Sequence, residues 1–279
     1  MEIKCWGSRG SIPVSGNQYL KYGGDTTCIE IISKTGDIII IDAGTGIRRL
    51  GNSLLKRKLR RYYLLFTHAH WDHVLGIAFF RPLQFSNVCI SIQDRMFSGV
   101  TTKNVLTEVM KTPFFPIGLG GLNADIRFDK SLNSGFSIGT VQVETIALNH
   151  TGGGLGYKFT EDNKSFVFLT DNELGFRHSE GLGFNDYLDF VKNADLLFHD
   201  GEYTADEYQH KKSWGHSSIP DVINLAVNAN VKKLGLFHLN QDRTDAHMDQ
   251  IVDECKHSLK KNKSSLDCFA VACNMAISL

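Results

Sequence analysis

Three histidines and an aspartate fall within six residues, as His68-x-His70-x-Asp72-His73, directly after the apolar run 62–67. Buried together without a cation, these side chains would leave polar groups unpaired, at about 1–3 kcal/mol each. Residues two apart in extended backbone point to the same side, so His68 and His70 can hold one ion. Asp72 and His73 follow where the chain turns, and can face a second ion. The motif therefore predicts a metal centre at the end of a strand.

Further candidate ligands follow other predicted strands. His150 follows a strand that begins at Val141, Asp171 follows the strand 165–169, and His238 lies near the end of the strand 234–239. Ligands of a centre at a sheet edge should lie at strand ends, so these three side chains are candidates to complete it. Histidine and carboxylate ligands without thiolate favour zinc, manganese or iron. Two adjacent ions suit hydrolysis, because they lower the pKa of a bridging water and hold the attacking and leaving oxygens.

The composition is that of an ordinary globular protein. The 279 residues carry no formal net charge and 42% are hydrophobic, which excludes intrinsic disorder and argues against a nucleic-acid coat protein. No apolar run approaches the roughly 18 residues that a membrane helix needs, so no membrane partner is expected. The first residues lack an apolar secretory segment, and the cysteines form no C-x-x-C pair. Both features predict a cytoplasmic protein with reduced, buried thiols.

Periodicity predicts strands and helices in both halves of the chain. Strands are expected at 29–33, 37–41, 62–67, 88–92, 141–146, 155–160, 165–169, 196–199, 234–239 and 267–272. Helices are expected at 46–61, 101–110, 185–193, 219–228 and 244–261, the last capped by Thr244. The helix at 46–61 is the most basic stretch, and its charges are either a solvated face or a weak surface for an anionic partner. The simplest architecture is one domain, 1–279, with two packed sheets flanked by helices.

The motif at 68–73 resembles that of the metallo-β-lactamase superfamily. Asp42-Ala43-Gly44 before it and the three later candidate ligands after it belong to the same resemblance. The resemblance covers most of the chain. It implies an α/β (α+β) fold, a four-layer αββα sandwich with the metals at one edge of the sheets. It also implies two bound divalent ions, for which zinc is expected and manganese or iron are the alternatives. The implied ligands are His68, His70 and His150 for the first ion, Asp72, His73 and His238 for the second, and Asp171 as the bridge.

Two further stretches, 199–203 and 214–218, resemble the phosphodiesterase branch of that superfamily. This branch includes transfer-RNA 3′-processing endonucleases and phosphoribosyl cyclic phosphodiesterases. There an acidic residue orients a histidine that is not a ligand and that assists the leaving oxygen. Here the pair would be Asp200 and His216, with Glu202 close by as another acid, while Asp72 orients the attacking hydroxide. Imidazole suits the role because it titrates near neutrality; the alternative for His216 is a surface residue of a helix-capping loop.

The spacing of two candidate ligands bears on the substrate. Only residues 151–170 lie between His150 and Asp171, where the endonucleases carry a protruding arm that grips transfer RNA. Without that arm, and with no net charge, a large RNA loses the phosphate contacts on which its affinity rests. The stretches 6–11 and 22–28 resemble the small-substrate group. A small cyclic or linear phosphodiester is therefore the favoured partner, and the resemblance is compatible with a homodimer.

Three other functions remain as alternatives. The first is a thioester, ester or lactam hydrolase on the same fold, the second a transfer-RNA 3′ endonuclease, and the third a metal-holding protein without activity. Outside these motifs, Arg243 lies just past the candidate ligand at 238, where it could contact a phosphate or form a salt bridge beside a helix. The histidines that fit no ligand position are predicted to be surface or helix residues: His178, His210, His247 and His257.

Overall fold

The computed structural model describes residues 1–133, 135–179 and 181–279. In chain order the strands are β1 (Glu2–Gly7), β2 (Cys28–Ile32), β3 (Ile38–Ile41), β4 (Arg61–Leu65), β5 (Cys89–Gln93), β6 (Met96–Phe97), β7 (Val100–Thr101), β8 (Asp125–Asp129), β9 (Phe136–Ile138), β10 (Val141–Ala147), β11 (Leu155–Glu161), β12 (Lys164–Leu169), β13 (Leu196–Asp200), β14 (Lys233–Phe237), β15 (Asp267–Ala270) and β16 (Ala276–Ser278). The α-helices are α1 (Ile47–Lys56), α2 (Trp71–Val74), α3 (Thr102–Val109), α4 (Phe184–Val191), α5 (Ala205–Gln209), α6 (Ile219–Asn228) and α7 (Asp245–Lys261). Short 3-10 helices lie at Asn17–Tyr19, Leu75–Phe79, Arg81–Gln84, Leu119–Gly121 and Lys130–Asn133. None of the helices described is long and apolar enough to cross a membrane.

Two mixed sheets carry most of these strands. One has the order β16-β1-β2-β3-β4-β5-β8, the other the order β15-β14-β13-β12-β11-β10-β9, and β6 with β7 forms a separate ribbon. Strands β3, β4, β5 and β8 run parallel to one another, and so do β12 to β15. The carboxyl ends of parallel strands meet at one edge of a sheet, which is where loops carry binding residues in such folds.

The sequence of strand β3 shows why the first sheet is covered on both faces. Its four isoleucines alternate between two buried faces. Ile39 and Ile41 lie in the core between the two sheets, whereas Ile38 and Ile40 pack against the helices outside the first sheet. A third core joins the outer face of the second sheet to α4, α6 and α7. The predicted four-layer αββα sandwich is confirmed.

Several boundaries differ from the predictions for physical reasons. Helix α1 ends at Lys56 rather than at residue 61, because Lys58 takes a left-handed φ of 59°. The backbone N–H of Leu59 then donates to the Leu54 carbonyl and closes the helix. Strand β14 ends at Phe237, two residues earlier than predicted. Strands β1, β6, β7, β8, β9 and β16 were not predicted. Strand β16 forms only by pairing with β1, from the opposite end of the chain.

The basic stretch around α1 is partly neutralised within the fold. The Arg49 Nε donates to the Asp25 carboxylate at 2.7 Å. Arg57 forms an ion pair with the fully buried Glu30. For these two arginines the structure favours structural ion pairing over contact with an anionic partner.

Candidate metal centre

The predicted ligands come together at the edge where the parallel strands end. Those within 68–73 occupy the turn after β4 and the short helix α2. The other three each lie one to three residues past a strand of the second sheet: His150 past β10, Asp171 past β12 and His238 past β14. Their convergence follows from the direction of these strands, since β10, β12 and β14 all point to this edge.

Three residues at this edge have an unfavourable backbone conformation. Asp42, Asp171 and His238 take left-handed φ values of 61°, 52° and 54°. Such a conformation costs a non-glycine residue about 1–3 kcal/mol and persists only where the surrounding structure enforces it. The fold therefore holds these side chains at the edge against a local backbone preference.

The first cluster consists of His68, His70, His150 and Asp171, whose candidate ligand atoms all lie within 4.8 Å of one another. The His150 Nε2 and the His70 Nδ1 are 3.1 Å apart. The Asp171 Oδ2 lies 3.6 Å from the His68 Nε2 and 3.8 Å from the His150 Nε2. Ligand atoms bound to zinc at about 2.1 Å in a tetrahedron would be about 3.4 Å apart. The cluster therefore has the dimensions of a metal site.

The second cluster consists of Asp72, His73, His238 and Asp171, so it shares Asp171 with the first. The Asp72 Oδ2 lies 3.2 Å from the His73 Nε2 and 3.2 Å from the His238 Nε2. The Asp171 carboxylate reaches the same two nitrogens at 3.3 Å and 3.2 Å. One carboxylate thus lies between two sets of candidate ligands.

Two buried ring nitrogens indicate whether the two clusters fit a cation. The His68 Nε2 and the His73 Nε2 are fully buried and make no hydrogen bond with the described residues. The carboxylate oxygens 3.2 Å and 3.3 Å from the His73 Nε2 do not lie in hydrogen-bonding geometry with it. An unsatisfied buried polar atom costs about 1–3 kcal/mol. Each of the two nitrogens belongs to one cluster, and a divalent ion at the centre of that cluster would satisfy it. The residues present therefore fit metal binding.

Several of these imidazoles are oriented by an oxygen acceptor on their other ring nitrogen, as is usual for metal-binding histidines. The pairs are His73 Nδ1 with Asp42 (2.8 Å), His238 Nδ1 with Glu202 (2.9 Å) and His150 Nδ1 with the Gly215 carbonyl (2.8 Å). Gly215 has a φ of +92°, and a Cβ there would lie 2.1 Å from the His150 Nδ1. Only glycine permits this contact.

Burial and neighbouring carboxylates act in opposite directions on the histidines. Burial holds the pKa of His68 well below its ordinary value and lowers the pKa of His150 to about 4. Burial also opposes protonation of His238, but Asp171 and the other carboxylates around it outweigh this effect and hold its pKa well above the ordinary value. The first cluster therefore presents neutral imidazoles, the form that binds metal.

His216 lies beside the second cluster and is 12% exposed. Its Nδ1 donates to the Asp200 Oδ2 at 2.9 Å, whereas the nearer Glu202 oxygen is 3.5 Å away. Burial would lower the pKa of His216, but Asp200 and Glu202 raise it to about 9. Ser218, and not His216, caps α6. The structure thus pairs His216 with Asp200, while Glu202 orients His238.

The same side chains also form a third group. By distance alone, Asp200, Glu202, His216 and His238 could hold an ion. Each of the two carboxylates, however, already accepts a hydrogen bond from a histidine Nδ1. This geometry is that of a hydrogen-bonded network bordering the two clusters.

Comparison with known proteins assigns the family. Residues 38–239 match the family model described as "Beta-lactamase superfamily domain". The chain belongs to the metallo-β-lactamase superfamily. The predicted resemblance is confirmed, and with it the expectation of a hydrolase.

Several named proteins are similar to this chain in sequence or in fold. Ribonuclease Z of Haloarcula marismortui is 23% identical over 308 aligned residues, which cover 92% of this chain and 91% of the relative. The metallo-β-lactamase fold protein YhfI of Bacillus subtilis matches with a TM-score of 0.68 at 14% identity, over 99% of this chain and 98% of its own. A diphosphatase from the PhnP family matches with a TM-score of 0.68 at 15% identity, over 100% and 97%. At these identities the structural matches establish the fold.

Glu173 is a buried residue of this superfamily member that the sequence analysis missed. Its carboxylate accepts hydrogen bonds from the Tyr208 hydroxyl (2.7 Å), the Ser213 N–H (2.7 Å) and the Gly215 N–H (2.8 Å). The His178 Nε2 lies 2.8 Å from the same carboxylate. The prediction of His178 as a surface or helix residue is therefore wrong, because its side chain is only 12% exposed, lies outside the helices and completes the network around Glu173. Glu173 holds the turn whose Gly215 carbonyl orients a candidate ligand.

We expect Glu173→Gln to weaken zinc binding about 10–100-fold, the usual effect of losing a residue that orients a ligand. An amide replaces one acceptor oxygen with a donor, so at least one of the Ser213 and Gly215 N–H groups loses its partner. Competition with a chromogenic chelator measures the affinity. Tyr208→Phe is the matched control, because it removes one donor and leaves the carboxylate in place. Unchanged zinc affinity in folded Glu173→Gln protein would show that the turn does not depend on Glu173.

The Arg243 side chain pairs with other residues of the protein. Its guanidinium forms an ion pair with Glu207 at 2.7 Å and donates to the Glu202 carbonyl at 2.8 Å. The side chain is 4% exposed. Of the two alternatives, the salt bridge is confirmed. The other histidines predicted at the surface are exposed: His210, His247 and His257.

Proposed function

We propose that residues 1–279 form one hydrolase domain that cleaves phosphodiester bonds with two divalent ions. One observation carries the proposal: two ligand clusters share Asp171 and lie beside the His216–Asp200 pair. The His216 Nδ1 is 4.0 Å from the Asp171 Oδ2. A histidine with its own acid therefore borders the point where the two clusters meet.

The donor set supports zinc, with manganese or iron as alternatives, because it combines imidazole and carboxylate without thiolate. Two such ions would supply a water of lowered pKa and positive charge for the substrate oxygens. The proposed ligands are His68, His70 and His150 for the first ion, Asp72, His73 and His238 for the second, and Asp171 for both.

His216 is proposed to give a proton to the leaving oxygen. Its Nδ1 is occupied by Asp200, and its Nε2 makes no hydrogen bond with the described residues and is not fully buried. The Asp200 carboxylate favours the protonated imidazole, so the Nε2 can act as donor. The Asp72 Oδ2 accepts from the Ser11 N–H at 2.9 Å, which fixes this carboxylate to orient the attacking water as well as to bind metal.

The chain between two proposed ligands favours a small substrate. Strand β11 ends at Glu161 and β12 begins at Lys164, so Asp162 and Asn163, with φ values of 50° and 60°, make a two-residue turn. This tight hairpin lacks a protruding segment for RNA. A small cyclic or linear, nucleotide-like phosphodiester is therefore the proposed substrate.

A transfer-RNA 3′ endonuclease is the second candidate, favoured by the relatives named ribonuclease Z that cover most of this chain. A thioester, ester or lactam hydrolase is a weaker candidate on the same fold. The His216–Asp200 pair favours phosphodiester over thioester cleavage, because an alkoxide leaving a phosphate needs a proton whereas a thiolate leaves without one.

The deciding experiment loads metal-free protein with zinc, manganese or iron and measures turnover. The substrates are bis-p-nitrophenyl phosphate, cyclic nucleotides, dinucleotides, cyclic ribose phosphates, a precursor transfer RNA and S-lactoylglutathione. We expect hydrolysis of small diesters that a chelator abolishes. Cleavage of the precursor RNA alone would favour the endonuclease, and cleavage of the thioester alone would favour the third candidate. Protein with two bound ions that turns over no phosphodiester would contradict the proposal.

A further inference from the structure

A cavity of about 470 Å³ opens beside the first cluster. His68 and His70 form its inner wall, so the cavity is continuous with the proposed metal centre. Its volume lies in the range of roughly 300–1,000 Å³ that small-molecule sites occupy. The other walls come from α2, the β6–β7 ribbon, α3 and the segment after it, and the main apolar side chains are Trp71, Val74, Phe97, Val105, Val109 and Phe114.

The walls of this cavity are apolar, and two of them are aromatic and open. Trp71 is 63% exposed and Phe114 is 69% exposed, so with their apolar neighbours they form a contiguous exposed apolar surface of the kind that marks ligand-binding grooves. Apart from the two histidines, Glu108 is the one charged side chain among the described residues that line the cavity. A ligand group that enters here therefore meets apolar and aromatic side chains, and neither Lys nor Arg lines the cavity.

The cavity wall is attached to the proposed metal centre. The Ser98 hydroxyl, between β6 and β7, donates to the Gly152 carbonyl at 2.9 Å. Gly152 lies in the turn that follows His150, and it also lines the cavity. The ribbon is therefore held against the loop that carries a proposed ligand.

We propose that this cavity binds a flat, uncharged aromatic ring of the substrate, such as a nucleobase, while the phosphate lies at the clusters. The inference rests on the function proposed above. A phosphate held near His68 and His70 places one of its ester groups at the mouth of the cavity. Trp and Phe rings bind bases by stacking, which is tolerant of base identity. The walls exclude a second phosphate, because the cavity offers it Glu108 and no cation.

The test compares phosphate monoesters that differ only in the group entering the cavity. Calorimetry measures the binding of phenyl phosphate, thymidine 5′-phosphate, 2-deoxyribose 5-phosphate and methyl phosphate to zinc-loaded protein. We expect both aromatic ligands to bind about 10–100-fold more tightly than methyl phosphate. Tighter binding of thymidine 5′-phosphate than of both phenyl phosphate and 2-deoxyribose 5-phosphate would identify the ring as a nucleobase. Equal binding of thymidine 5′-phosphate and phenyl phosphate would show that the cavity accepts any aromatic ring.

Val105→Trp fills the cavity and should remove this preference, leaving methyl phosphate binding within about threefold of the original. Phe114→Ala, at an exposed position that tolerates truncation, should weaken the preference without affecting folding. Val227→Trp, on α6 outside the cavity, is the matched control. A ring preference that Val105→Trp and Phe114→Ala leave unchanged, or the absence of any preference, would overturn the inference.

Binding and turnover separate this inference from the proposed function. Diester hydrolysis without a ring preference in binding would overturn the cavity assignment and leave the function standing. A ring preference that both cavity variants reduce, without turnover of any diester, would support the cavity assignment and contradict the function.

Discussion

Replacing Asp171 with alanine is expected to lower kcat more than about 10³-fold, beyond the usual effect of losing one electrostatic stabiliser. It should also reduce the metal content from two ions per chain to fewer than one. The reason is geometric, since this carboxylate lies 3.2–3.8 Å from nitrogens of both clusters. Burial alone would raise the pKa of Asp171, but His238, His73 and the other histidines hold it well below the ordinary value. The side chain is therefore an anion that lies between both clusters.

Plasma emission spectrometry and steady-state kinetics measure these two effects. Asp195→Ala is the matched control, because Asp195 is a buried carboxylate before the start of β13, where it pairs with Lys164 and Lys232. This control should change Tm without changing metal content. Two bound ions and the original rate in Asp171→Ala would contradict the shared-ligand assignment.

Replacing His216 with alanine is expected to lower kcat about 10²–10⁴-fold, the range for a general acid or base, with the metal content unchanged. The imidazole Nδ1 faces Asp200 at 2.9 Å rather than a proposed metal position. Loss of metal in His216→Ala would instead make this histidine a ligand, with Asp200, Glu202 and His238 as the set. Metal analysis of the purified variant distinguishes these two roles.

The leaving group provides a control for the same variant. A nitrophenolate leaves without a proton, whereas the alkoxide of a cyclic nucleotide needs one. The defect of His216→Ala should therefore be larger on cyclic nucleotides than on bis-p-nitrophenyl phosphate. Asp200→Asn should show the same dependence to a smaller degree. Equal defects on both substrates would contradict proton transfer by His216.

The sequence predicted the clusters because the signal was local and repeated. The motif at 68–73 is dense, and His150, Asp171 and His238 each follow an apolar strand. Parallel strands end at the same edge, so strand identity was enough to bring distant residues together. The sequence also predicted the two packed sheets, because buried strands such as β3 are continuously apolar.

What the sequence could not predict depends on contacts between loops. Glu173 is important because Ser213 and Gly215, 40 and 42 residues away, donate to it. Nothing near Glu173 in the chain indicates that contact. The end of α1 depends on a left-handed residue, Lys58, that no hydrophobic period reveals. Strands β6 and β7 were not predicted because two residues each are too few to show the alternation typical of a strand.

The hydrogen bond from Ser98 to Gly152 has a consequence for how this protein could change its substrate. It ties the ribbon that recognises a ligand to the turn that carries His150. A substitution that changes the position of the ribbon therefore also moves the turn. Substrate selectivity and metal binding would then change together. New selectivities would arise more readily at Phe114, which lies past the end of α3 and is not part of the hydrogen bond between the ribbon and that turn.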